Sequence, residues 1–125
     1  MSTSKLTEAE VKRQAALAQC SDPDVLRNLA MNPNLALEHQ ATLMQSGDIF
    51  VLFSLAQNPS LSLNHQVKLM QSGDPDVLRA LATNRSLAPE HQATLMQSSD
   101  RWVLCGLAFN PSTTPEVLAK IAKKL

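Results

Sequence analysis

The chain has 125 residues, 44% of them apolar, and its eleven basic residues balance eleven acidic ones. That length supports one cored domain and is too short for two, and the cancelled charge gives no field to attract nucleic acid, anionic lipid or an acidic partner. The opening MSTSKLTEAEVKRQAALAQC lacks a continuous apolar stretch of the leader type, and no run approaches the roughly 20 apolar residues that span a bilayer. A cytoplasmic protein is therefore expected, with no membrane partner, and Cys20 and Cys105, far apart in sequence, read as ordinary reduced thiols.

The first element is announced by Thr7-Glu8-Ala9-Glu10, which has the spacing of a capping box, with Leu6 and Val11 spaced as a hydrophobic staple. A helix is predicted there. From Cys20 the chain repeats itself every 26 residues: 20–45, 46–71, 72–97 and, degenerating, 98–123. Copies one and three, CSDPDVLRNLAMNPNLALEHQATLMQ and SGDPDVLRALATNRSLAPEHQATLMQ, agree at 19 of 26 positions. A unit this short cannot bury its own apolar face, so the copies must pack on one another.

Each copy opens on an aspartate, Asp22, Asp48, Asp74 or Asp100, followed in the first and third by Pro23 and Pro75. Aspartate at the N-cap accepts from orphan backbone donors, and proline at the next position gives up only an N–H without a helical partner. A short helix follows, carrying Val25, Leu26, Leu29 and Ala30 at helical spacing. Its equivalents are Val51, Leu52, Leu55 and Ala56; Val77, Leu78, Leu81 and Ala82; and Val103, Leu104, Leu107 and Ala108. These sixteen are the expected inner core. An asparagine closes each short helix, Asn32, Asn58, Asn84 and Asn110, and proline follows three of them; that is turn chemistry, and an architectural role is expected. A second, longer helix is predicted from Leu37, Leu63, Pro89 and Pro115 through Gln45, Gln71, Gln97 and Lys123, with Gly47 and Gly73 supplying left-handed termini.

At the N-terminal end, Gln14 to Gln19 aligns with Gln40 to Gln45, so residues 1 to 19 read as a half-unit cap; residues 98 to 125 form a divergent last repeat, whose Lys120, Lys123 and Lys124 suit a wet terminal face. A leucine-rich horseshoe is rejected, because Leu26 to Asn32 has helical spacing and lacks the alternating strand such units need.

The run V-L-x-x-L-A-x-N-P-x-L followed by P-E-x-L-x-x-[LI]-A, clearest at 103–111 and 115–122, resembles the leucine-rich repeat variant family. The resemblance covers about residues 20 to 125 and implies an all-α, right-handed solenoid of two-helix repeats, the first helix of each 3₁₀ or α and the second α, with terminal caps. The 26-residue unit is slightly longer than usual in that family, and the cysteine-rich iron–sulfur segment known from one member type has no counterpart here. No cofactor is expected.

The histidines His39, His65 and His91 recur one repeat apart. Stacked helices lie about 8–10 Å apart while a zinc–nitrogen bond spans about 2 Å, so they do not converge on one ion. In the fourth copy the His-Gln pair becomes Val117-Leu118, which implies partial burial and a polar ladder between neighbouring helices. Met44, Met70 and Met96 read as packing residues. No nucleophile motif and no phosphate-binding glycine loop is present, and no enzyme is expected.

The copies differ most on the first helix. Copies one and three carry Asp24 with Arg27 and Asp76 with Arg79, pairs suited to a solvated face. Copies two and four place Phe50 with Phe53 and Trp102 with Cys105 there, and Phe109 extends the set. Apolar rings where sister copies have ion pairs point to a contact surface for a protein or peptide partner, or for self-association. The alternative is nucleic-acid binding through Arg13, Arg27, Arg79, Arg85, Arg101 and Lys68.

Overall fold

A computed structural model describes residues 6–125. The part of the expected N-terminal cap formed by residues 1–5 lies outside the described residues. Regular structure among the described residues is entirely helical: α1 (Glu8–Ala18), α2 (Pro23–Ala30), α3 (Leu37–Met44), α4 (Ile49–Ala56), α5 (Leu63–Met70), α6 (Pro75–Ala82), α7 (Pro89–Leu95), α8 (Arg101–Phe109) and α9 (Pro115–Lys124). No helix among them is long and apolar enough to cross a membrane.

The helix starts follow from their caps. Thr7 closes the capping box of α1: its N–H donates to Glu10 Oε1 at 2.8 Å and its Oγ1 accepts from the Glu10 N–H at 3.1 Å. Asp22, Asp48, Asp74 and Asp100 cap α2, α4, α6 and α8 from extended backbone. The first helix of every copy, left as 3₁₀ or α by the sequence, is α: an eight- or nine-residue helix with a side-chain cap has enough i→i−4 bonds to keep the wider turn. Two features differ from the sequence reading. The second helices α3 and α5 are no longer than α2 and α4, at eight residues each, since they stop at Met44 and Met70, before the glutamine. Only Gly73 takes the left-handed conformation, at φ 76°; Gly47 does not, although the helices before them, α3 and α5, both close on a glutamine in the right-handed conformation.

Successive copies pack in chain order: α2 against α4, α4 against α6, α6 against α8, with α3, α5 and α7 following one another alongside and α1 set against α2 and α3. Leu29, Leu55, Leu81 and Leu107 lie at the centre with Leu43, Leu69, Leu95 and Ile121 from the second helices. The core is narrower than the sixteen expected residues. Ala30, Ala56 and Ala82 are buried by the first helix of the following copy, whereas Ala108, on which no further copy packs, is exposed. Val51, Val77 and Val103 are buried by the preceding first helix, whereas Val25 has only α1 before it and is half-buried. Leu26, Leu52 and Leu78 are half-buried against the core. A residue's burial here is set by its neighbouring copy, as stacking of incomplete units requires.

Two polar ladders tie copy to copy. Asn58 Nδ2 donates to the carbonyls of Ala30 (2.7 Å) and Asn32 (2.9 Å) in the preceding copy, while its Oδ1 accepts from Ser60 N–H at 2.8 Å in its own turn. Asn84 and Asn110 repeat the arrangement. Asn84 does so although Arg85, not proline, follows it, so the asparagine and not the proline defines the turn. The hydroxyls of Ser60, Ser86 and Ser112 add a further rung, donating to the carbonyls of Pro33, Pro59 and Arg85.

The second ladder joins the histidines to glutamines. Gln40 Nε2 donates to Ser60 O at 2.8 Å, and its Oε1 accepts from Ser62 N–H at 3.1 Å and lies 2.9 Å from His65 Nδ1. Gln14 meets His39 and Gln66 meets His91 in the same way, at 3.0 and 2.7 Å. A backbone N–H at each Oε1 and backbone carbonyls at each Nε2, two for Gln40, Gln66 and Gln92 and one for Gln14, fix the orientation of each amide; an amide oxygen only accepts, so the histidine Nδ1 carries the proton and donates. In the last copy Gln92 keeps its backbone partners, and Val117 stands where the histidine would be. Gln14, on α1, is the first rung, as the alignment of the half unit with the later copies implies.

Candidate interaction surface

The same cap sets the outer face of every first helix. Asp48 Oδ1 accepts from the Phe50 N–H and Asp100 Oδ1 from the Trp102 N–H, both at 2.8 Å, as Asp22 and Asp74 do from Asp24 and Asp76, both at 2.9 Å. The second helical residue of each copy therefore leaves the backbone at an equivalent place, and the residue three further on lies beside it. Along the four copies these two positions read Asp24 and Arg27, Phe50 and Phe53, Asp76 and Arg79, Trp102 and Cys105.

The charged copies pair as their spacing requires: Arg27 to Asp24 and Arg79 to Asp76, each at 3.2 Å. Each arginine also crosses to the cap of the next helix, Arg27 to Asp48 at 3.3 Å and Arg79 to Asp100 at 3.1 Å. The Arg27 guanidinium lies 4.7 Å from the centroid of the Phe50 ring. At Asp48 the Phe50 N–H is the main influence and, with Arg27, holds the carboxyl below its usual range against the opposing effect of desolvation. At Asp100 desolvation is the largest single influence and acts upward, but the Trp102 N–H and Arg79 together outweigh it. These aspartates are thus charged caps and bridge partners, already committed.

The chain has one tryptophan, three phenylalanines and no tyrosine. All four rings lie on α4 and α8, and three are solvent-exposed: Phe50 at 56%, Trp102 at 66% and Phe109 at 85%. Phe53 and Cys105 are half-buried, and Phe53 packs against the core. The five residues flank α6 on both sides. Phe50 and Phe53, with Ile49, line a shallow groove of about 300 Å³ whose other wall carries Asp74 and Asp76. Trp102, Cys105 and Phe109 line a second of about 390 Å³, with Arg79 and Thr83 opposite and Gly106 between. A Cβ added at Gly106 would sit 3.1 Å from Ala82 Cβ and 3.2 Å from Thr83 Cγ2, so the bare glycine lets α8 lie close on α6.

Ile49 and Gly106 were not among the residues picked from sequence. Both carry a signal of the same kind as the aromatics: Ile49 replaces the proline of copies one and three, and Gly106 stands where the other copies have Asn28, Ser54 and Ala80. The histidines lie apart from this face, buried in the glutamine ladder. Burial, and then the nearby Lys68 charge, lower the pKa of His65. Among the described residues no three His, Cys, Asp or Glu side chains come together as a metal set.

Comparison with protein-family models, with curated proteins and with solved structures gives no match.

Proposed function

We propose that this chain is a non-enzymatic interaction module: a right-handed helical-repeat solenoid of the leucine-rich repeat variant type that binds a protein or peptide, or a further copy of itself, through the outer face of α4 and α8. One observation carries the reading. A chain with four aromatic rings leaves three of them in solvent on α4 and α8, two of them, Phe50 and Trp102, at the position where the sister copies place Asp. Burial of such rings is worth about 1.5–3 kcal/mol each, a gain the isolated fold leaves unused, and aromatics are enriched at the centres of interfaces.

Electrostatics disfavours the nucleic-acid alternative. Arg27 and Arg79, two of the cations it draws on, are each held between two aspartates, so each sits in a local excess of carboxylate that opposes a phosphate backbone. Phe50 and Trp102 are better probes of the contact than Phe53, which also serves the core. A chain with Phe50→Asp and Trp102→Asp keeps its helical circular dichroism and cooperative melt but loses association, with a partner or between copies, in gel filtration with light scattering. Association at the wild-type level in that variant would refute the proposal.

A further inference from the structure

We infer that the partner of this face is a second copy of the chain, docked about a two-fold axis that runs along the succession of copies. The inference rests on the reading of α4 and α8 as a contact surface and adds what covers it. In a two-fold dimer the same patch meets itself, so the patch must be self-complementary. When two faces meet, the axis lies in their common plane, and charge separates its two possible directions. An axis along the helices keeps α6 parallel to the partner's α6, which sets Asp76 against the partner's Asp76 and Arg79 against the partner's Arg79. An axis along the succession of copies makes the helices antiparallel and brings each first helix onto its own counterpart. Asp76 then faces the partner's Arg79, and Asp24 faces the partner's Arg27.

The apolar helices satisfy the same operation. Phe50 meets the partner's Phe53, and Trp102, on the first turn of α8, meets the partner's Cys105, beside Gly106. There the groove between α6 and α8 lies open, with Gly106 in its lining and Phe109 at its wall. Each chain offers one indole and one groove, and the antiparallel arrangement fills both grooves at once. The alternation of charged and apolar copies, which a single apolar ligand would find interrupted at Asp76 and Arg79, is in register with itself in this dimer; an axis along the helices through α6 would also set α4 on α8, and only the charges exclude it. Like charges opposed directly cost affinity, so the pattern selects orientation as well as partner.

The test is sedimentation equilibrium of the full chain across the micromolar range, with fluorescence of Trp102, the sole tryptophan. Wild type is expected to dimerise reversibly, with Trp102 emission shifting to the red on dilution. Trp102→Asp weakens the dimer by about tenfold or more. Asp76→Arg and Arg79→Asp each weaken it alone, and an equimolar mixture of the two restores it as a heterodimer, because each arginine of one chain then faces an aspartate of the other. Should Arg79→Asp fail to fold for want of its bond to Asp100, Asp76→Arg is compared with Asp76→Asn: reversal must weaken the dimer more than neutralisation. A wild type that stays monomeric with a solvent-exposed indole overturns the second copy and leaves the contact surface for another partner, as does a monomer that instead binds a lysine-rich amphipathic peptide. A monomer whose indole is already shielded overturns both readings. A dimer whose indole emission ignores dilution, or a mixture that associates no better than either variant, overturns the inference.

Discussion

The seam between copies and the outer face of their first helices are built from the same 26-residue unit and obey opposite rules. In the seam every copy does the same thing: Asn58, Asn84 and Asn110 reach back to paired carbonyls, and Gln14, Gln40, Gln66 and Gln92 reach forward to a backbone donor and acceptor. On the outer face neighbouring copies disagree, charged then apolar, twice over. A buried amide left without partners costs about 1–3 kcal/mol for each orphaned group, so the amide rungs of the seam do not vary, even where Val117 replaces the histidine. An outer position costs the isolated fold little whichever residue it holds, so its content is free to be set by whatever touches it.

The comparison breaks most readily at the seam. Gln66→Ala strands the Ala88 N–H, the Ser86 carbonyl and His91 Nδ1 in a buried space, and a loss of about 3–5 kcal/mol is expected, read as a lower midpoint in urea. Alanine 82 against alanine 108 gives the next largest effect. Ala82→Leu forces a side chain into the buried contact of α6 with α8 and costs about 1–3 kcal/mol, while Ala108→Leu, at the equivalent exposed position, leaves the midpoint within about 0.5 kcal/mol; equal effects would mean that the following copy is not what buries this position. The smallest effect concerns pH. The pKa of His65 lies below its usual value in the folded chain, so the unfolded chain takes up that proton more readily. The histidine's contribution is therefore whole above about pH 6.5, the unfolded value, and drains as pH falls below it. Urea midpoints at mildly acidic pH, above the carboxylate range, should fall below those at neutral pH, and His65→Gln should flatten the difference.

Much of the seam was legible because its chemistry is local or periodic. The aspartate caps, the helix starts at Leu37, Leu63, Pro89 and Pro115, and the asparagine turns follow from residues adjacent in sequence. The glutamine was harder to see. The histidine beside it drew attention as the titratable residue, yet Gln66 makes the bonds that span two copies, and its burial depends on contacts 20 to 25 residues away. Gly47 and Gly73 stand at the same position of the repeat but differ in backbone conformation, which local propensity does not distinguish. The helix lengths escaped for a similar reason, since Gln45 and Gln71 have helical propensity but their turns close one residue early. The aromatic positions were picked from disagreement between copies alone; that Phe53 turns partly into the core while Phe50 does not depends on where α4 meets its neighbours.

Phe50→Asp and Trp102→Asp install at copies two and four the residue that copies one and three already carry at that position. The unfolding free energy of this double variant, measured at a concentration too low for association, is the most direct test of the division between seam and face. The value should lie within about 1 kcal/mol of wild type, the main loss being the contact between Arg27 and Phe50. A loss of about 3 kcal/mol or more, equal to that expected for a broken seam, would mean that the rings belong to the fold and would contradict the account.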